Sequence, residues 1–398
     1  MQHRIIVLGA GYTGAFAAGR LARRLRREDV SLTLVNAEPD FVERVRMHQL
    51  AVGQDLRPRP YREMFAGTGV TLKLATVTGI DADHRTVSVL GADGAEELTY
   101  DNLVYALGSG WNTQGVPGTD EHAHDIAGRP GALRLRGRLA ELDAGAPVVV
   151  VGGGLTGLEA ATEIAETRPD LDVALAARGG LGEWLSPAGR RHLRKVVDRL
   201  GITVHEDTAV TEVAADHVTT ADGATVPAAV TVWTTGFAVH PLARATTLEV
   251  TGTGQIVVDG TMRSVSHPEV YAIGDAALVR GPGGTPLRMS CASGTPTAWQ
   301  AADSIAARLT GGKLPNAPLR YFNQCVSLGR RDGLIQYVTA DDRAVRAALT
   351  GRLAALYKET ICKAAAWGVA NPTFGMPVRR RPVLRQAAGT ASALRAGA

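Results

Sequence analysis

An apolar run, Ile5-Ile-Val-Leu, ends in Gly9-Ala10-Gly11-Tyr12-Thr13-Gly14, and a helical pattern follows at once through Leu25. Few folds tolerate that succession. Only glycine lets a chain leave a strand, turn tightly and bring its backbone against a pyrophosphate. The helix that opens there aims free N–H groups and the positive end of its dipole at the phosphates. A strand before the glycines and a helix after them is the context this motif requires.

The pattern returns. Pro147-Val-Val-Val-Val-Gly152-Gly-Gly154-Leu155-Thr156-Gly157-Leu-Glu159 is again strand, glycine turn and helix. Each copy continues in the same order. After the first comes a strand, Val30 to Val35, ending at Asn36, then an antiparallel meander over 71–100 and a buried strand, Asn102 to Tyr105, closing on Gly108. After the second comes the strand Asp172 to Ala176, leading to Arg178. A helix from Pro187 to Leu200, a second meander and the strand Val230 to Trp233, closing on Gly236, complete that copy. Duplication at this scale means two dinucleotide-binding units. Gly115-Val-Pro-Gly118 reads as the crossing between them.

The remainder starts no third unit. Val270-Tyr-Ala-Ile-Gly274-Asp275-Ala leads to a helix through Arg308, with Thr295-Pro296 placed at its first turn. Tyr321 to Tyr337 reads as a hairpin turning at 330–333, and 342–369 as one or two helices. Between the units, Arg44, Arg46 and His48 lie close behind the first glycine motif. They line its pocket or sit on a surface helix. Arg379-Arg380-Arg381 with Arg385 reads as a solvated basic tail.

The 398 residues are 45% apolar and 21% charged, with net charge +4. Acids and bases are interspersed, which argues against a nucleic-acid binder. The first strand begins by Arg4, leaving no room for a cleavable signal. Cys291, Cys325 and Cys362 are far apart and have neither redox nor metal-ligand spacing. A cytoplasmic, reduced protein with no metal is the expectation.

Together these pieces resemble the two-dinucleotide flavoprotein oxidoreductases, the pyridine nucleotide-disulfide oxidoreductase superfamily. The closer likeness is to the branch of type II NADH dehydrogenases and apoptosis-inducing-factor-like reductases. Gly9 to Gly14, Leu103 to Gly108, Gly152 to Glu159 and Tyr271 to Ala276 carry it. Val232 to Phe237 and Cys325 to Asp332 add to it. The resemblance implies an α/β fold of two Rossmann-like, three-layer ββα domains. A discontinuous FAD domain (1–115 and 241–315) would hold an inserted NAD(P)H domain (116–240), followed by a small C-terminal α+β region (316–398).

It also implies the roles. Gly9, Gly11, Tyr12, Thr13, Gly14, Asn36, Arg44, Gly108, Gly274 and Asp275 would hold FAD. The helix end at Thr295 and Pro296 would face the flavin carbonyl edge. Gly152, Gly154, Leu155, Thr156, Gly157, Arg178 and Gly236 would hold NADPH or NADH. Glu159 would stand where the nicotinamide meets the flavin. Hydride would pass to flavin N5 and on to a quinone or another small redox acceptor. A specialised-metabolite tailoring enzyme and a redox-responsive flavoprotein acting through protein partners are the rival readings. The protein would be a monomer or homodimer. Arg346, Arg352, Lys358 and Lys363, with Leu349, Leu353, Leu356 and Ile361, offer a face to anionic membrane lipid or to protein.

Three departures from the family qualify this. No closely spaced cysteine pair follows the first glycine motif, which argues against dithiol relay chemistry. Ala176-Ala177-Arg178 stands where an acid usually binds the ribose hydroxyls of NADH, favouring NADPH. On the helix after Asp275, Gln300 fits one of two glutamines found near the quinone, but Pro296 occupies the other position.

Overall fold

A computed structural model describes residues 2–316, 318–373 and 380–384. Its helices, in chain order, are α1 (Tyr12–Arg24), α2 (Met47–Ala51), α3 (Tyr61–Met64), α4 (Thr119–His122), α5 (Arg129–Ala140), α6 (Leu155–Thr167), α7 (Pro187–Arg199), α8 (Cys291–Thr310) and α9 (Arg352–Ala370). The strand His3–Leu8 is buried from Ile5 through Leu8, the signature of a central parallel strand covered on both faces. It lies between Val30–Asn36 and Asn102–Tyr105. Val270–Ala272 extends the sheet on one side. On the other, Val70–Asp81 pairs in parallel through its first half and then opens the meander through Thr86–Gly91 and Gly94–Thr99.

The second unit repeats the plan with a five-stranded parallel sheet. Pro147–Val151 lies between Asp172–Ala176 and Val230–Trp233. Its three-stranded meander stands beside it. The two connections between the units run together: Ser109–Trp111 pairs antiparallel with Phe237–Val239.

Three expectations are corrected. α8 begins at Cys291, so Pro296 sits in its second turn, inside the helix. Side chains brace the turn that a ring nitrogen without N–H weakens. Ser293 Oγ donates to the Arg288 carbonyl (2.6 Å), and Thr297 Oγ1 donates to that of Gly294 (2.7 Å). Second, Ala344–Thr350 is a strand, antiparallel to Gly333–Val338, which itself pairs with Asn323–Ser327. Its alanines suit a helix locally, but pairing with a buried strand decides the outcome. Third, the basic tail is not simply solvated. Arg380 Nε donates to the Ala22 carbonyl at the end of α1, and the Arg381 backbone bridges to Leu25. Arg379 and Arg385 lie outside the described residues.

Candidate active site

The two glycine turns have one geometry. A Cβ on Gly14 would stand 1.8 Å from the Gly9 carbonyl oxygen, and one on Gly157 1.8 Å from that of Gly152. Strand end and helix start touch there, so the third glycine of each motif has no substitute. Gly11 and Gly154 have nothing within 4 Å of an added Cβ. They are the open side of each turn. Each is also the N-cap of its helix, α1 or α6, and contributes no side-chain cap, and neither first turn carries an acid. The first N–H groups therefore point unpaired out of the turn, as an anion cradle requires. Tyr12, Thr13, Leu155 and Thr156 supply those first turns.

Asn36 braces the first turn. Its Oδ1 accepts the Ala10 N–H (2.9 Å), and its Nδ2 donates to the Glu38 carbonyl (2.8 Å). Tyr61, which the sequence did not single out, donates its hydroxyl to the Ala10 carbonyl (2.7 Å). Tyr12 packs edge-on to Phe41, with its hydroxyl buried and unpartnered.

Asp275 sits where several elements converge. Ser109 Oγ donates to its carboxylate (2.6 Å), and Arg44 Nη1 lies 3.7 Å away. Arg44 also stacks over Phe237, 4.7 Å from the ring centre, and its Nη2 is buried without a partner. Gly274 is left-handed at φ 66°, and its N–H donates to Thr297 Oγ1 (3.1 Å), tying this loop to α8. Gly108 is left-handed too, with open space beside it. The Gly274 turn also lies against the first glycine motif, because a Cβ on Gly274 would stand 2.8 Å from the Thr13 methyl. Thr295 and Pro296 lie beyond the start of α8, so its free N–H groups belong to Cys291 and the residues next to it. Gln300 turns away: it is buried and donates to the Gly260 carbonyl.

Glu159 is neither a surface glutamate nor a free carboxylate. Lys358 Nζ, from α9, lies 2.8 Å from its Oε1. The Ser327 backbone N–H and Oγ donate to the same oxygen (3.1 and 3.2 Å), and His48 Nδ1 is 3.9 Å from the other. Burial pushes Glu159 up, but Lys358 and His48 outweigh it and hold the carboxyl below its usual range. Burial likewise opposes the charge on Lys358, and Glu159 keeps it protonated. Burial lowers His48 to about 4, so it is neutral. The sequence offers Arg46 for the cofactor pocket or a surface helix, Lys358 for a lipid- or protein-facing side and Ser327 within the Cys325-to-Asp332 resemblance, but nothing in it joins Lys358 and Ser327 to Glu159. Arg46 is buried, paired with Glu43 (3.2 Å) and Glu359 (3.0 Å).

The second glycine turn is simpler. Gly152 and Gly236 are left-handed, at φ 128° and 95°. Arg178 follows the end of its strand beside the turn and is exposed. No ion pair or hydrogen bond engages it among the described residues.

The cysteines are all free. Cys362 is buried, and Cys291 is exposed at the start of α8. Desolvation still pushes Cys291 and Cys325 up to about 11, so both are thiols rather than nucleophilic thiolates. The charges of Asp275, Lys358 and Arg44 all bear on Cys291.

A family model described as pyridine nucleotide-disulphide oxidoreductase matches residues 3–306. An NADH dehydrogenase-like protein of Mycobacterium tuberculosis is 30% identical over 318 residues, covering 74% of this chain and 77% of that protein. The demethylphylloquinone reductase of Synechocystis is 26% identical over 373 residues, covering 89% and 92%. In fold, the sulfide:quinone oxidoreductase of Aquifex aeolicus aligns with a TM-score of 0.79 at 20% identity, over 94% and 93% of the two chains.

Proposed function

The chain belongs to the pyridine nucleotide-disulphide oxidoreductase family, and from that premise we propose that it passes electrons from NADPH through FAD to a quinone. It is an FAD-dependent NAD(P)H oxidoreductase acting on a small-molecule acceptor. The cofactors supply hydride transfer and two-electron storage; the protein supplies position, field and exclusion of water. FAD would lie against Gly9, Gly11 and Gly14 and reach Asp275 and Arg44. NAD(P)H would lie against Gly152, Gly154 and Gly157. The domains would divide at 1–115 with 241–315, 116–240 and 316–398.

One observation carries the choice of acceptor. The Glu159–Lys358 pair is buried with Lys358 protonated. A quinone takes up two electrons and two protons, and a buried ammonium stabilises the negative charge that forms on its reduced oxygens, which are then basic enough to take a proton from it. That the demethylphylloquinone reductase of Synechocystis is a relative supports the same reading. Steady-state turnover with a water-soluble quinone, ferricyanide and oxygen tests it. Turnover with quinone supports the proposal. A reduced protein that hardly turns over would favour action through protein partners.

NADPH is preferred on electrostatic grounds. At about 4 Å and an effective dielectric near 20, a carboxylate opposes a 2′-phosphate by up to ~4 kcal/mol per unit charge. That repulsion is absent beside Ala177, and one charge-assisted bond from Arg178 adds about 1.5–3 kcal/mol. A higher kcat/KM for NADH than for NADPH would remove this preference.

No helix among the described residues is long and apolar enough to cross a membrane. α9 nevertheless exposes Leu353, Leu356, Ile361 and Trp367, near the exposed Phe322 of the neighbouring sheet. Arg352 and Lys363 flank that face. We assign it to the surface of an anionic membrane, where quinones dissolve. Lys358 faces Glu159 instead, and Arg346 and Leu349 belong to the strand before α9. Salt-sensitive co-sedimentation with phosphatidylglycerol vesicles checks this; a homodimer that leaves vesicles unbound would reassign the face.

A further inference from the structure

One turn along α6 from Glu159 lies a second buried carboxyl. Glu163 is fully shielded from solvent. Gln54, on the segment after α2, donates to its Oε1 (2.6 Å). Its Oε2 is buried with no hydrogen-bond partner. A buried lone carboxylate oxygen without a donor is costly, whereas a protonated carboxyl carries its own hydrogen there. Residues four apart on a helix bring their Cβ atoms to about 5–6 Å, so Glu163 and Glu159 share one face of α6.

We propose that Glu163 is the proton store of the site, supplying the Glu159–Lys358 pair with the one proton each turnover draws from water. The inference rests on the reading that the acceptor is a quinone. The overall reaction balances as NAD(P)H plus H⁺ plus quinone giving NAD(P)⁺ plus quinol. Hydride brings two electrons and one proton-equivalent; the second proton comes from the protein. Lys358 loses N–H to the quinone oxygen, and an O–H bond forms there. The Glu163 O–H then breaks, and its proton restores Lys358 by way of the Glu159 carboxylate. Water returns a proton to Glu163 past Gln54.

The surroundings of Glu163 suit a store that fills near neutral pH. Burial pushes its carboxyl up to about 7. Arg330, from the turn after Asn323–Ser327, and the Gln54 hydrogen bond pull it down, while Glu166 and Glu159 on its own helix push it up. Lys358 and His48 face Glu159, one turn away on α6. Glu166 is occupied elsewhere, accepting the Arg330 backbone N–H. Glu163 is therefore a positioning residue for protons and not a group that touches substrate.

Infrared titration of the resting holoenzyme tests this without turnover. A protonated carboxyl band should disappear around pH 7 and be missing in Glu163→Gln. The same variant should lose roughly tenfold in kcat with quinone, the low end of what a proton-transfer group contributes, and keep its KM for NADPH. Its wild-type bend in kcat against pH should flatten. The defect should be absent with ferricyanide, which takes electrons without protons. Gln54→Ala provides a second handle if Glu163→Gln fails to fold. Removing a donor to the charged form should move the band and the bend to higher pH. An unchanged profile and band in either variant overturns the proposal. A wild type that reduces ferricyanide but no quinone overturns the acceptor reading instead, and the infrared band still reports on Glu163.

Discussion

His48 shows how one buried side chain sets a pH limit. Its imidazole is neutral because burial lowers it to about 4, against an ordinary value of 6.5. The unfolded chain takes up that proton as pH falls below 6.5, while the native state does not until about 4. The stability His48 carries is thus complete above 6.5 and is lost as pH falls between the two values. At 1.36 kcal/mol per unit, the loss is about 3 kcal/mol. His48 Nε2 lies 3.3 Å from Ser327 Oγ; His48→Gln keeps a polar group for that contact and has no proton to gain. Its urea midpoints should be flatter than those of the wild type between pH 6.5 and 4. An equally steep acid limb in the variant would show that another group controls it.

The turn–helix elements make a sharper prediction, because the two copies are separable. Gly14→Ala puts a methyl onto the Gly9 carbonyl, and Gly157→Ala does the same at Gly152. Gly14→Ala should purify without bound flavin. Gly157→Ala should stay yellow and lose bleaching by NADPH, which anaerobic absorbance spectra measure. These elements were legible because a buried strand, a glycine turn and an amphipathic helix each leave a local pattern. The strands Val30–Asn36 and Asn102–Tyr105, both meanders and the 323–338 hairpin were legible for the same reason. What was not legible depended on partners distant in sequence. Ala344–Thr350 is a strand because Gly333–Val338 offers its edge. α8 runs through Pro296 because Ser293 and Thr297 anchor it. At the site, the glycines and Asp275 followed from motifs. Tyr61 gave no signal, and neither did the pairing of Lys358 and Ser327 with Glu159: a lysine in a mixed apolar and basic helix reads as surface until its partner is known.

At the scale of the molecule, α9 is the tie between the parts. Lys358 meets Glu159 of α6, Glu359 meets Arg46 before α2, and Gly368 packs on Phe16 of α1. The two units and the C-terminal sheet are therefore joined through α9 by ion pairs, and a double-mutant cycle can isolate the Lys358–Glu159 pair. Lys358→Met leaves Glu159 buried without its cation, at a cost of about 3–5 kcal/mol. Glu159→Gln with Lys358→Met removes both charges and should recover most of it. The pH dependence should invert as well. In the wild type Glu159 is held below its unfolded range, so its contribution is present above that range and lost as acid protonates it. Without Lys358, burial dominates and the carboxyl rises above the unfolded value. The native state then binds the extra proton, and stability falls as pH rises through that interval. Urea unfolding of the single and double variants across pH measures both effects. A Lys358→Met protein as stable as the double variant, with the wild-type slope, would mean that the pair is solvated and does not join the units.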